Sequence, residues 1–181
     1  MTATESEFVI LVDEADKEIG IAEKILAHKN NQLHRAFSVF ILRKMNKNWE
    51  LLLQQRGLNK YHSPGLWTNT CCSHPRQGEE TVLAGERRLR EELGITASLK
   101  DLGWFHYNAH FSNGLSENEI DHVLIGIVAS DISITPHPDE IHAYRWLDLD
   151  SLHQELSQHR ERFTPWLEQA LNKATDYIKK L

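Results

Sequence analysis

Short apolar runs separated by polar turns dominate the first third of the chain. Residues 8–12 are β-rich, residues 13–16 read as a turn, and residues 19–22 as the returning strand. Residues 36–42 and 49–55 flank a polar stretch at 44–47 and predict a hairpin. The first of these runs is apolar at nearly every position, as a central strand is. Residues 79–93 switch to helical spacing: Val82, Leu89 and Leu93 share a face, and Gly94 follows as a stop signal. Strands are expected at 103–111 and 119–129, with a short one at 143–147. Helices are expected at 150–159 and 165–181, the latter with Thr164 as N-cap and Pro165 at the first helical position. No repeat or linker interrupts the pattern. The expectation is one α/β domain over residues 1–181, with a mixed β-sheet packed between helices, an N-terminal strand extension and C-terminal helices.

Composition narrows the function classes. The 181 residues are 40% hydrophobic and 25% charged, ordinary for a globular protein. The longest apolar runs, 36–42 and 123–129, are too short to span a membrane. A net charge of −6 argues against a broad nucleic-acid surface, so an anionic small molecule would need a local cluster of Lys and Arg. The two cysteines are adjacent and cannot staple distant segments. The acidic start of the chain lacks the basic region of a signal peptide. A reducing, cytoplasmic compartment is expected. Among eleven histidines, His137, His142, His153 and His159 carry no spacing signal and read as solvated.

Two segments carry the chemistry. Trp67-Thr68-Asn69-Thr70-Cys71-Cys72-Ser73-His74-Pro75 puts a thiol two residues from an imidazole, and Glu117-Asn118-Glu119 puts two carboxylates at i, i+2. In a strand that spacing aims both carboxylates at one face. These are the parts of a metal site beside a proton-transfer site. A third segment, Gly85 to Ile95, resembles the end of a Nudix box: Arg87, Leu89, Glu91, Glu92, Gly94 and Ile95 fit in register, with Glu79 at the earlier glutamate position. Arg88 stands where that family has a glutamate, and Ser73 where it has the leading glycine. Read without the resemblance, this is an amphipathic helix with i, i+4 pairs, Arg87 to Glu91 and Arg88 to Glu92.

Taken in order along nearly the whole chain, the motifs resemble the type 1 isopentenyl diphosphate isomerases, a Nudix-fold family with this altered box. The resemblance rests on Lys24 to His28, His34-Arg35-Ala36-Phe37-Ser38, Arg56 with Lys60, 64–69, Cys72-Ser73-His74-Pro75, Glu117-Asn118-Glu119 and Pro165-Trp166. Cys71 before the matching thiol and Ser73 in place of glycine are departures. The resemblance implies a metal site of His28, His34, His74, Glu117 and Glu119, with residues 1–32 as an extension contributing ligands. Imidazole and carboxylate together suit Mn²⁺ or Zn²⁺, with Mg²⁺ as an alternative. It further implies a diphosphate grip by Lys24, Arg56 and Lys60, with Glu92 holding a bridging Mg²⁺. Cys72 and Glu119 would be the proton carriers on opposite faces of an allyl unit. Tyr107 would assist the carboxylate, and Trp166, in the C-terminal helical segment 160–181, would offer its π-face to a carbocation. The expected ligands are isopentenyl and dimethylallyl diphosphate, bound by a monomer or weak homodimer without membrane or nucleic acid. The competing readings are a Nudix pyrophosphohydrolase, which Arg88 disfavours, and a metal-binding module without activity, which leaves Cys72, Trp166 and the three cations without a purpose.

Overall fold

Residues 7–181 are described by the structure, a computed structural model; Met1 to Ser6, which carry most of the acidic start, lie outside the described residues. Phe8–Val12 (β1) and Glu18–Glu23 (β2) form an antiparallel hairpin whose turn places Asp16 at φ 63°. A short helix, Lys24–Lys29 (α1), follows directly; the Glu23 carboxylate caps it by accepting from the Leu26 N–H at 2.9 Å. The apolar run at 36–42 lies within His34–Met45 (β3), which turns at Asn46 (φ 56°) into Asn48–Arg56 (β4). Trp67–Thr68 (β5) and Cys71–Ser73 (β6) are too short to show a period in the sequence. The box helix is Thr81–Leu93 (α2), and Gly94, at φ 65°, ends it. Lys100–His110 (β7), Ser116–Val128 (β8) and Ile141–Asp148 (β9) complete the sheet. Leu149–Gln158 (α3), a 3₁₀ turn at Arg160–Arg162 and Leu167–Lys179 (α4) close the chain.

The central position of β3 is borne out by its pairing. Along one side it runs parallel to β8 from His34↔Glu119 to Arg43↔Val128. Its remaining partners, all antiparallel, are β1 at His34, β6 at Phe37 to Val39 and β4 from Leu42 onward. Alternation along β3 then decides both layers of the core. Phe40 and Leu42 pack with Val123 and Ile125 against α3 and α4, while Phe37, Val39 and Ile41 pack with Leu124 against Ala84, Leu89 and Leu93 of α2. The sheet is mixed and lies between helices, as expected.

Thr164 does not cap the last helix, which begins at Leu167 rather than at Pro165. Its hydroxyl donates to Thr68 Oγ1 at 2.8 Å and its N–H to the Trp67 carbonyl at 3.0 Å. Both groups are spent on anchoring the chain to β5, so the helix starts after this anchor.

Candidate active site

On β8 the side chains of Glu117, Glu119 and Asp121 share one face, and the parallel register puts His34 beside Glu119. His28 arrives from α1 and His74 from the residue after β6. The ligand atoms of His28, His34, His74 and Glu119 all lie within 4.8 Å of one another. The Nδ1–H of His28 donates to the Lys24 carbonyl at 2.6 Å and that of His34 to the Gln32 carbonyl at 2.8 Å. Those bonds fix the tautomer and turn each Nε2 lone pair inward. Both Nε2 atoms are buried without a hydrogen-bond partner among the described residues. Burial pushes the His74 ring down to about 3 and His28 below its ordinary value, so both are neutral. Burial opposes the charge on Glu119, but the His34 and His74 rings outweigh it and hold its carboxyl below the usual carboxylate range. Burial opposes charge on His34 as well, but the Glu119 carboxylate 3.3 Å from its Nε2 outweighs it and raises that ring above its ordinary value. Three imidazoles gathered around one ionised carboxylate are a donor set that fits a divalent cation.

Glu117 faces the same cavity but is engaged elsewhere: His62 Nε2 lies 2.7 Å from its Oε1. Burial, together with the neighbouring Glu119 charge, raises Glu117 above its ordinary value. His62 and Asp121 are among the polar residues of the cavity that the sequence did not single out. Asp121 had a signal, since it extends the i, i+2 spacing by one more step. His62 had none; it comes from the loop after β4.

Cys72 belongs to β6 and stands opposite Ser38 in the β3 register, while Cys71 points away into the core under α2. Burial, aided by Asp121, pushes the Cys72 thiol up to about 12. Tyr107, opposite Glu119 on β7, has its hydroxyl buried without a partner among the described residues. Its ring meets that of Trp166 edge-on at 6.1 Å. The Trp166 indole is buried at the entry to α4, with the Arg56 guanidinium 5.4 Å from its centre.

Four cations line the cavity: Lys24, Arg56, Lys60 and, from α2, Arg88. Lys24 pairs with Glu7 at 3.0 Å and Lys60 with Glu140 at 2.6 Å. Within the box, Arg87 holds Glu79 by two bonds of 2.8 and 2.9 Å, and Arg88 holds Glu91 at 2.8 Å. Glu92 is the buried one: its Oε2 accepts no hydrogen bond among the described residues, with Arg88 Nη2 3.7 Å away, and burial raises its carboxyl to about 7. The multi-carboxylate cage of a hydrolase is thus reduced to one available carboxylate facing a cation-lined pocket. His137, His142 and His153 are exposed, and the half-exposed His159 lies outside the cavity.

This fold and box are those of a Nudix domain, the family that matches residues 32–167. Solved structures agree on the fold: one from Deinococcus radiodurans (DR0079) superimposes with TM-score 0.68 at 20% identity, covering 92% of this chain and 98% of that one. A C. elegans Ap4A hydrolase gives TM-score 0.60 at 17% identity, over 81% and 98%. Curated relatives are more specific. The isopentenyl-diphosphate Delta-isomerase of Photobacterium profundum is 48% identical over 91% of this chain and 92% of its own. Isopentenyl-diphosphate Delta-isomerase 1 of Aromatoleum aromaticum is 47% identical over 91% and 90%. The chain belongs to the isopentenyl-diphosphate Delta-isomerases of the Nudix superfamily, and it is an enzyme that interconverts isopentenyl and dimethylallyl diphosphate in isoprenoid biosynthesis.

Proposed function

We propose that Cys72 and Glu119 are the two proton carriers of this isomerisation and that the cavity between them is built to keep a carbocation dry. The reaction adds a proton to the terminal methylene carbon, leaving positive charge on the tertiary carbon. A proton then leaves the carbon one bond nearer the diphosphate-bearing CH₂, so the double bond moves and the proton count balances. That cation reacts readily with water, and the site must therefore exclude water and supply negative potential. The buried Trp166 face, the Tyr107 ring and the carboxylates of β8 supply that potential. The observation that carries this reading is the convergence of Cys72 on β6 and Glu119 on β8 on one cavity that four cations also line.

Lys24, Arg56 and Lys60 hold the diphosphate, Arg56 through its planar fork and the lysines as point charges. His28, His34, His74 and Glu119 hold a divalent cation, Mn²⁺ or Zn²⁺ or alternatively Mg²⁺. Glu117, whose Oε1 faces His62, would be their fifth member. Glu92 Oε2, which accepts no hydrogen bond among the described residues, would suit Mg²⁺. When bound, these cations supply positive charge that fixes the Glu119 carboxylate and neutralises the diphosphate. The whole chain works as one unit, since the 1–32 extension supplies Lys24 and His28 and the 160–181 segment supplies Trp166. Two free thiols fit a reducing, cytoplasmic setting. Among the described residues no helix is long and apolar enough to cross a membrane.

Incubation with isopentenyl diphosphate in deuterated water, beside nucleoside diphosphate derivatives, tests the reading. Deuterium is expected in dimethylallyl diphosphate for the wild type, with none for Cys72→Ala or Glu119→Gln. Undiminished incorporation in either variant removes that residue from the chemistry, and phosphate release would revive the hydrolase reading.

A further inference from the structure

Asn69, in the turn between β5 and β6, is fully buried, and the roles above make no use of it. Its Nδ2 donates to the Val39 carbonyl at 3.1 Å and to the Cys71 carbonyl at 2.9 Å. Both amide hydrogens are spent on backbone, which fixes the orientation of the amide plane and of Oδ1. That one oxygen faces three donors: Thr68 Oγ1 at 2.7 Å, Cys72 Sγ at 3.1 Å and Trp166 Nε1 at 3.3 Å. Thr164 Oγ1 donates in turn to Thr68 Oγ1 at 2.8 Å. A carbonyl oxygen offers two lone pairs, so three donors compete for them, and the thiol is the weakest of the three.

We infer that Asn69 is a positioning residue for the isomerisation, its side-chain oxygen holding the Cys72 thiol and the Trp166 indole in one fixed relation across the cavity. The inference rests on the reading of Cys72 and Trp166 given above. Over-subscription of Oδ1 gives the arrangement its use. The S–H is aimed without being tightly held. When it turns from Oδ1 toward a substrate carbon, Thr68 and Trp166 still fill both lone pairs, and no buried acceptor is left unpaired. Ser38 Oγ also lies 3.6 Å from the sulfur and gives its own hydrogen to Asp121 Oδ2 at 2.9 Å. The thiol thus has two oxygens within reach. An asparagine that merely tied the turn to β3 would need its two Nδ2 bonds and nothing more.

Two variants separate these roles. Asn69→Asp keeps an oxygen at the Oδ1 position and loses the amide donors, while Asn69→Leu loses both at similar volume. At equal folded fraction, Asn69→Leu is expected to lower kcat for isopentenyl diphosphate about tenfold or more with KM little changed, because a small misplacement of a reacting group is costly. Asn69→Asp should keep clearly more turnover despite similar loss of melting temperature. Trp166→Phe, which removes the indole N–H and also weakens the π-face, should cost clearly less turnover in the Asn69→Leu background than in the wild type, because only the π-face loss remains there. Equal losses in the Leu and Asp variants, KM rising in step with falling kcat, or additive losses in the cycle would overturn the inference. If Asn69→Leu does not fold, the cycle is run on Asn69→Asp. There the acceptor remains, so Trp166→Phe must cost what it costs in the wild type. Cys72→Ala runs in parallel: if it is active the reading of the site fails, whereas an inactive Cys72→Ala beside a normal Asn69→Leu removes only the positioning role.

Discussion

Two neighbouring thiols with opposite surroundings show how far one position of strand register matters. Cys71 is fully buried in the core beneath α2, and Cys72 faces the cavity. Cys71→Ala should cost about 1 kcal/mol of stability, the scale of a small cavity, with most turnover kept. Cys72→Ala should abolish turnover with little change in melting temperature. Comparable activity losses in two folded variants would reverse the assignment. The same resolution applies to the ligands. His34→Ala removes an imidazole whose unpaired Nε2 is committed to the cluster, so metal content and turnover should fall together. Glu117→Gln should weaken metal binding less than His34→Ala, because Glu117 already divides its carboxylate with His62. Metal analysis of both purified variants checks the order, and equal metal loss would contradict it.

The elements hold these residues in place through contacts at their ends. The C-terminus of α2 presents the carbonyls of Glu92 and Leu93 to the N–H groups of His137 and Thr135, at 2.7 and 2.9 Å. Gly94 permits the left-handed turn there, and an added Cβ would collide with Thr135 Oγ1. Gly94→Ala should cost more than about 1 kcal/mol, a fall of roughly 2–4 °C per kcal/mol at this size. The N-terminal hairpin is tied down differently. His122 on β8 lies 2.7 Å from Asp16 in the β1–β2 turn and 2.7 Å from Asp101 on β7, while Arg35 on β3 also holds Asp16 at 2.7 Å. Both ring nitrogens face carboxylates, which is the setting of an imidazolium. Burial opposes that charge, but Asp101 and Asp16 outweigh it and raise the His122 pKa above 6.5. The stabilisation is therefore fully present below pH 6.5 and lost as pH rises through the raised folded value. Denaturation across that window should show wild type losing about 1 kcal/mol relative to His122→Asn, the scale of a partly exposed pair. Parallel pH profiles for the two proteins would dismiss the latch.

At the scale of the molecule, carboxylates of β8 and the histidines of α1, β3 and the segment after β6 share one cavity, so bound cations should stabilise the fold as well as the chemistry. With metal at about 100 times its Kd the gain is about 2.7 kcal/mol, and for a chain of this size that raises Tm by roughly 5–10 °C. A chelated sample with the melting curve of the metal-loaded protein would count against a folded-state metal site. Local periodicity made much of this architecture readable in advance. The apolar run at 36–42 showed a central strand because burial on both faces leaves almost no polar position, Ser38 being the exception. The box helix showed its face and its end through Leu89, Leu93 and Gly94, and the i, i+2 carboxylates showed a shared strand face because that spacing is a property of the extended backbone. The thiol beside His74 and the carboxylate pair showed candidate chemistry by spacing, but the remaining expected site residues came only through resemblance, since spacing alone leaves a lone His28 or Arg56 as ordinary surface. Tertiary structure alone decided which groups meet: His62 on Glu117, Asp121 behind Ser38, the Thr164 hydroxyl on Thr68 instead of a helix end, and the Asn69 oxygen between thiol and indole. Those contacts join positions up to 97 residues apart. They form because packing buries polar groups that must then find partners, and partner choice at that distance is set by how β3, β6, β8 and α4 close around one cavity.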